Sequence, residues 1–421
     1  MQISKQNLLP LGINFALGFF FISILAIKGG YNISPFILIF LGLGYFLYGL
    51  KQKWQWSLSS QDKLFIYSYL LYFLLFVLSL LFNGGKGREL DNPSRVLLLI
   101  PVLLLLLRIP FNLKIIMMAI PCGAITAGLV AVFDKLVLHS LEAYAPRMMH
   151  IQAGDIAMSL GMFSLLLALY AQRKQLKIPT LFCLASALMG MLGSFLSTAR
   201  GGWIGLPIIL GLMLWIYRQS LSRGFFIGLI GIFVLGGAAL SQMPQNRISE
   251  RFSSAQVEIE RYWQHQDGTT SVGARFDMWK SALLMAQQKP ILGWGIQGAA
   301  EERKKMAEQG IISTYAGQFG HAHNQYLDDL SKRGVLGLFT LLAIFFIPLR
   351  AFWQHTQNPN QEVKLCAALG VVHVISTMCY CLSQGFFAHN SGNIFYFFLT
   401  VVFYAALKNQ LQVSHENSRH S

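Results

Sequence analysis

About a dozen predominantly apolar stretches follow one another along the chain, near residues 8–27, 33–50, 64–82, 94–107, 113–133, 154–171, 178–198, 201–217, 224–241, 334–352, 363–382 and 391–407. Most are close to the roughly 20 residues that cross a bilayer. Short polar connections separate them, and one long polar interval, residues 242–333, interrupts the series. A single soluble core cannot bury so many apolar runs. The pattern predicts an all-α polytopic membrane protein, with transmembrane helices 1–9 over residues 1–241 and a large helical loop over 242–333. Helices 10–12 follow over 334–408, then a tail over 409–421. The fourth run is short, and Arg95 and Arg108 at its flanks can snorkel to the interfaces. The seventh and eighth runs are separated only by Ala199-Arg200-Gly201-Gly202, which leaves room for a tight hairpin.

Charge then sets the orientation. With the N-terminus inside, the cytoplasmic loops hold Lys51, Lys53, Arg108, Lys114, Arg173, Lys174, Lys177, Arg218, Arg223, Arg350 and Lys364. The short outer loops carry acids such as Glu89, Asp91, Asp134 and Glu142. The positive-inside rule places both termini in the cytoplasm and the 242–333 loop outside. It also gives the net charge of +15 a membrane origin, so no nucleic-acid partner is expected. Only 12% of residues are charged, about half the share in soluble domains. All five cysteines fall inside apolar runs, without disulfide or zinc spacing. No small-residue cleavage site follows the first run, which is expected to be a retained helix.

Within the loop, Phe276, Trp279, Leu283 and Ala286 recur at spacings of three and four, predicting an amphipathic helix over 273–289 that Pro290 ends. Leu292-Gly293-Trp294-Gly295 reads as a turn, and residues 301–309 as a charged helix stopped by Gly310. Residues 323–332 read as a helix with Tyr326, Leu327 and Leu330 on the His323 face. A loop of this kind is expected to lie along the membrane surface.

Candidate chemistry is sparse. Arg200, in Ser-Thr-Ala-Arg-Gly-Gly-Trp, stands at the mouth of two membrane helices, where an ionisable residue is costly without a partner or a task. Its neighbouring glycines let backbone approach a ligand, and a helix beginning near Gly201 offers N–H groups to an anion. An interfacial arginine snorkelling to headgroups is the plainer reading. Arg275 carries a guanidinium fork that matches phosphate oxygens, or else pairs with Asp277 on a solvated face. His321 and His323 open the segment His-Ala-His-Asn-Gln-Tyr-Leu-Asp-Asp. Histidine moves protons near neutral pH, whereas a lone histidine at a helix start is commonly structural. No third ligand supports a metal, and the adjacent Asp328-Asp329 lacks the DxD separation of a metal–nucleotide-sugar site. Arg303-Lys304-Lys305 reads first as a solvated charge run, and secondly as a holder of phosphates. His389-Asn390 repeats the His-Asn pair in a short outer loop and reads as structural.

His323-Asn324, nine residues, then Gly334-Val335-Leu336-Gly337 resembles the H-N-x9-G-x-x-G signature of bacterial O-antigen ligases, a superfamily shared with O-antigen polymerases and pilin oligosaccharyltransferases. Arg200 before Gly-Gly-Trp, and Arg275 within Ala-Arg-Phe-Asp-Met-Trp, resemble the family's two arginine segments in the same order. The resemblance implies an inverting, metal-independent glycosyltransferase without cofactor in the bacterial inner membrane, working at the periplasmic face. Its donor would be a glycan on undecaprenyl pyrophosphate and its acceptor a hydroxyl of the lipid A–core oligosaccharide, both reached from among the membrane lipids. By the same resemblance His323 would be the general base and Arg200 and Arg275 would bind the donor pyrophosphate, the three meeting in one outward-facing pocket. Asn324, His321 and Tyr326 would support them.

Two rivals share the donor: an oligosaccharyltransferase acting on pilin or another protein, and a polymerase joining repeat units. A transporter or flippase is a reading from a different class. It would show repeated halves and broken helices at the midplane, and no internal repeat is visible here.

Overall fold

In a computed structural model, residues 8–219 and 248–420 are described, together with Gly224, Gly228 and Gly231; the rest of the expected helix 224–241 lies outside the described residues. In chain order the helices are α1 (Leu8–Ala26), α2 (Gly30–Lys51), α3 (Ser60–Asn83), α4 (Asp91–Arg108), α5 (Leu113–Leu136), α6 (His150–Arg173) and α7 (Lys177–Leu196). The short α8 (Gly201–Ile204) and α9 (Leu206–Tyr217) follow, then α10 (Ile248–His265), α11 (Ser271–Gln288), α12 (Gly295–Glu308) and α13 (Thr314–Gly317). Last come α14 (Gln325–Trp353), α15 (Gln361–Tyr380) and α16 (Asn390–His420). Among the described residues there is no strand, and ten helices are long and apolar enough to cross a membrane. The chain is an all-α, multi-pass membrane protein.

Two compact units divide it: Met1–Val77, Gly87–Ile216 and Thr340–Ser421 form the first, Leu78–Lys86 and Tyr217–Phe339 the second. At the centre of the first unit is α6, in which every residue from Gln152 to Ala171 is buried, as suits a helix with protein on all sides. Its polar residues mostly find partners. Gln152 donates to the Phe386 carbonyl at 3.1 Å, and Ser159 shares a hydrogen bond with the Tyr380 hydroxyl at 2.9 Å.

Antiparallel helices bring alternate connections to each end of this unit. At one end Tyr170 and Lys174 both reach Glu362, at 2.7 and 3.1 Å, and Arg108 stacks 4.2 Å over Trp54. At the other end Arg147 Nη1 donates to both oxygens of the buried Asp134, at 2.6 and 2.7 Å, and its Nε to the Ala26 carbonyl at 3.1 Å. Asp134 is therefore a structural counter-ion inside the unit rather than a loop acid.

The second unit has its own small core of Ala274, Met278, Met285, Ala299, Met306, Ile312 and Ala316. The expected buried face of α11 is rotated: Leu283 is exposed, while Ala274, Met278, Ala282 and Met285 are buried beside Asp277 and Ser281. Small and flexible side chains win that face because they allow close helix approach. Asp277 accepts from the Tyr262 hydroxyl at 2.9 Å and the Ser313 amide at 2.7 Å, binding α10, α11 and the turn before α13 together. The charged helix begins at Gly295, earlier than expected, and gives way to Gly310 in a left-handed conformation (φ 68°).

Helix α14 is interrupted at Gly334 (φ 64°, ψ −162°), a region open in practice only to glycine. The break removes intrahelical partners from the following amides. Val335 N–H donates instead to the Pro290 carbonyl at 2.7 Å, and Trp294 N–H to the Ser331 carbonyl at 3.1 Å. Gly293, also left-handed (φ 65°), faces the Lys332–Gly334 backbone, where a Cβ would overlap it. The turn 290–294 and the kink thus close on each other through backbone alone.

Candidate active site

The first turn of α14 starts one residue after Asn324, whose side-chain oxygen accepts from the Tyr326 and Leu327 amides at 3.0 and 3.2 Å. Asn324 is a helix cap, and His323 lies before the helix, not on it. The 319–323 segment is a loop pinned by named bonds. Arg303 Nη1 donates to the Phe319 carbonyl at 2.8 Å, Trp279 Nε1 to the Ala322 carbonyl at 3.0 Å, and the Ala322 amide to Asp328 Oδ1 at 3.0 Å. Between these ties His323 adopts φ 48°, uncommon for a residue with a Cβ. Asp328 also pairs with Lys332 at 2.7 Å, and Asp329 with Arg333 Nε at 2.7 Å. The two carboxylates act as struts of the first helical turns.

The His323 ring is half-buried. The His321 ring meets it edge-on at 4.2 Å, and Phe319 at 5.5 Å. Its pKa is lowered to about 4, first by burial, then by His321 and the Arg275 guanidinium, with Asp328 opposing and Arg303 adding to the depression. Neutral at physiological pH, the imidazole is able to accept a proton. Arg275, exposed on α11, belongs to the same electrostatic site. Tyr326 is partly buried in the first turn of α14.

Arg200 belongs to the first unit. It is exposed between α7 and α8, in the segment that holds Ser197, whose carbonyl meets His150 Nδ1 at 2.9 Å, and Thr198, left-handed at φ 62°. The helix expected over 201–217 is split into the four-residue α8 and α9. Gly201 and Gly202 are close-approach positions: a Cβ on Gly201 would stand 2.8 Å from Ser383 Oγ and 3.0 Å from Asp155 Oδ1. The Gly202 amide is directed at Asp155. Asp155 is fully buried on α6, and neither carboxylate oxygen closes a hydrogen bond among the described residues. Sequence reasoning missed this residue although it stands inside the run 154–171, where an ionisable side chain is itself a signal.

Residues 184–342, which span Arg200, Arg275, His323, Gly334 and Gly337, match the O-antigen ligase family. The chain belongs to the O-antigen ligase superfamily. An uncharacterized protein of Haemophilus influenzae (strain ATCC 51907 / DSM 11121 / KW20 / Rd) is 42% identical over 393 residues, 93% of this chain and 98% of that relative. The family carries ligase- and polymerase-type glycan transfer. Arg275 and His323 come together in the second unit, while Arg200 is placed by the first.

Proposed function

We propose that this O-antigen ligase family member transfers a glycan from undecaprenyl pyrophosphate to a hydroxyl of the lipid A–core oligosaccharide, at the periplasmic face of a bacterial inner membrane. The observation that carries the reading is a neutral, half-buried His323 held in a strained, fully tied loop within the field of Arg275. The attacking hydroxyl gives its proton to the His323 imidazole as its oxygen bonds to the anomeric carbon. The glycosidic C–O bond breaks on the opposite face, and the electron pair leaves on the lipid pyrophosphate. Arg275 and Arg200 meet the charge growing on that leaving group. Fixed donors of this kind are worth about 3–4 kcal/mol each. Displacement by the alcohol inverts the anomeric configuration and draws on no cofactor. The excess of basic residues in alternate short loops of the sequence supports cytoplasmic termini.

The deciding experiment gives the purified protein an undecaprenyl-pyrophosphate glycan together with lipid A–core or pilin. Glycan-bearing lipid A–core supports the ligase. Glycosylated pilin moves the assignment to a protein oligosaccharyltransferase, and lengthened lipid-linked chains to a polymerase. Arg200→Lys and Arg275→Lys are each expected to lower transfer by about 10²-fold or more, because charge survives but the planar fork does not. Transfer at the wild-type rate in either variant removes that arginine from the donor site.

A further inference from the structure

The run Arg303-Lys304-Lys305 is three consecutive cations in sequence and two different things in the structure. The Lys304 and Lys305 side chains are 75% and 62% exposed and pair along the helix surface with Glu308 and Glu302. Arg303 is 0% exposed. It points into the core of the second unit, where a hydrophobic side chain of similar volume would pack at less cost than a guanidinium. Its Nε donates to Ser281 Oγ on α11 at 3.1 Å and its Nη1 to the Phe319 carbonyl at 2.8 Å. Nη2 is buried and makes no hydrogen bond among the described residues.

We infer that Arg303 is the positioning residue of the His323 loop, a third arginine serving the reaction from behind the imidazole. The warrant is geometric. A five-donor fork fixed to α11 at one corner holds the first carbonyl of the 319–323 loop at another, and no lysine or amide spans both. Trp279 and Asp328 hold the far end of the same loop through Ala322. With Phe319 released, the loop that carries the left-handed turn at His323 loses one of its three ties, and the ring gains water. Displacing a reacting group by about 1 Å is enough to cost about 10²-fold in rate. The charge acts in the same direction: His323 is faced by His321, Arg275, Asp328 and Arg303, and Arg303 is one of the cations keeping it neutral.

This role rests on His323 being the base proposed above, so the test has two independent readouts. In the full-length protein, Arg303→Met is expected to lower kcat for transfer by about 10²-fold while KM for the lipid-linked donor stays within about twofold, since the side chain touches the loop and not the donor. In the same variant the NMR titration midpoint of His323, assigned by difference against His323→Asn, moves upward as burial and positive charge are both reduced. Arg303→Lys is expected to return part of the midpoint shift, through its charge, and little of the rate. Wild-type kcat with an unmoved midpoint in folded Arg303→Met overturns the inference. Should the Met variant fail to yield monodisperse protein, a folded Arg303→Lys with wild-type kcat overturns it equally. If the wild-type protein transfers glycan to no acceptor, the functional reading fails on its own, and the His323 midpoint still decides the role of Arg303.

Discussion

Replacing His323 by alanine is expected to lower glycan transfer by about 10²–10⁴-fold while leaving the protein in the membrane at normal abundance. The loss follows from the chemistry of an alcohol nucleophile, which needs a proton acceptor as its oxygen bonds to carbon. In this loop the only neighbouring imidazole is His321, whose ring already lies edge-on to His323. His323→Asn is the sharper control, because asparagine tolerates the left-handed backbone (φ 48°) that alanine resists. Loss of activity in both variants isolates the imidazole; activity retained in His323→Asn would reduce the residue to a turn former.

The acid limb carries a second signature. With a folded-state pKa near 4 and an ordinary value of 6.5, the unfolded chain binds the extra proton first as pH falls. The neutral ring therefore costs nothing above pH 6.5. Below it, stability declines with falling pH until the folded form protonates near 4. Activity should likewise persist below pH 6 and fail as the ring charges. A base with so low a pKa is weak for its task, and the donor supplies the remedy. A bound pyrophosphate offsets the Arg275 and Arg303 charges that depress His323, so the imidazole becomes more basic when the leaving group is in place. The kcat profile should accordingly show its acid limb at higher pH than the kcat/KM profile, which reports the free enzyme.

Hydropathy made the membrane helices legible because a bilayer demands long apolar runs irrespective of neighbours. Gly334 and Gly337 were legible as a motif, though the kink at Gly334 was not. The pattern read one helix over 323–332 and a membrane helix from 334. The chain is helical from Gln325 with a break at Gly334, where backbone geometry rather than composition sets the joint as a kink within one continuous helix. What sequence misjudged lies where packing, not composition, decides. The buried face of α11 is built from Ala274, Met278, Ala282 and Met285, and the larger Phe276 and Leu283 drew attention to a neighbouring stripe. Arg303 was hidden among lysines because charge alone says nothing about burial. Asp155 was hidden because one acid hardly lowers the hydropathy of a long run, yet it lies against Gly201, one residue from Arg200.

Gly334→Ala is expected to be the most damaging conservative change in the second unit, with a loss of about 3 kcal/mol or more and reduced accumulation in the membrane. Three costs coincide there. The conformation φ 64°, ψ −162° is strained for any residue bearing a Cβ. That Cβ would overlap the Ile291 carbonyl group and approach Pro290 O, atoms of backbone with no side-chain freedom to yield. Relief by straightening the helix would return the Val335 amide to α14 and strip Pro290 O of its 2.7 Å partner, leaving a backbone acceptor unsatisfied. The kink also separates the Asp328–Lys332 and Asp329–Arg333 struts from the membrane stretch that follows. Straightening therefore pulls on Asp328, which holds the Ala322 amide beside His323. Thermal unfolding in detergent and the His323 titration should both respond. Gly310→Ala serves as the comparison, because that glycine is left-handed as well but a Cβ there would meet nothing within 4 Å. Its cost should stay near 1 kcal/mol, the backbone term alone. Equal losses at the two positions would show that the contact between the kink and the 290–294 turn contributes nothing.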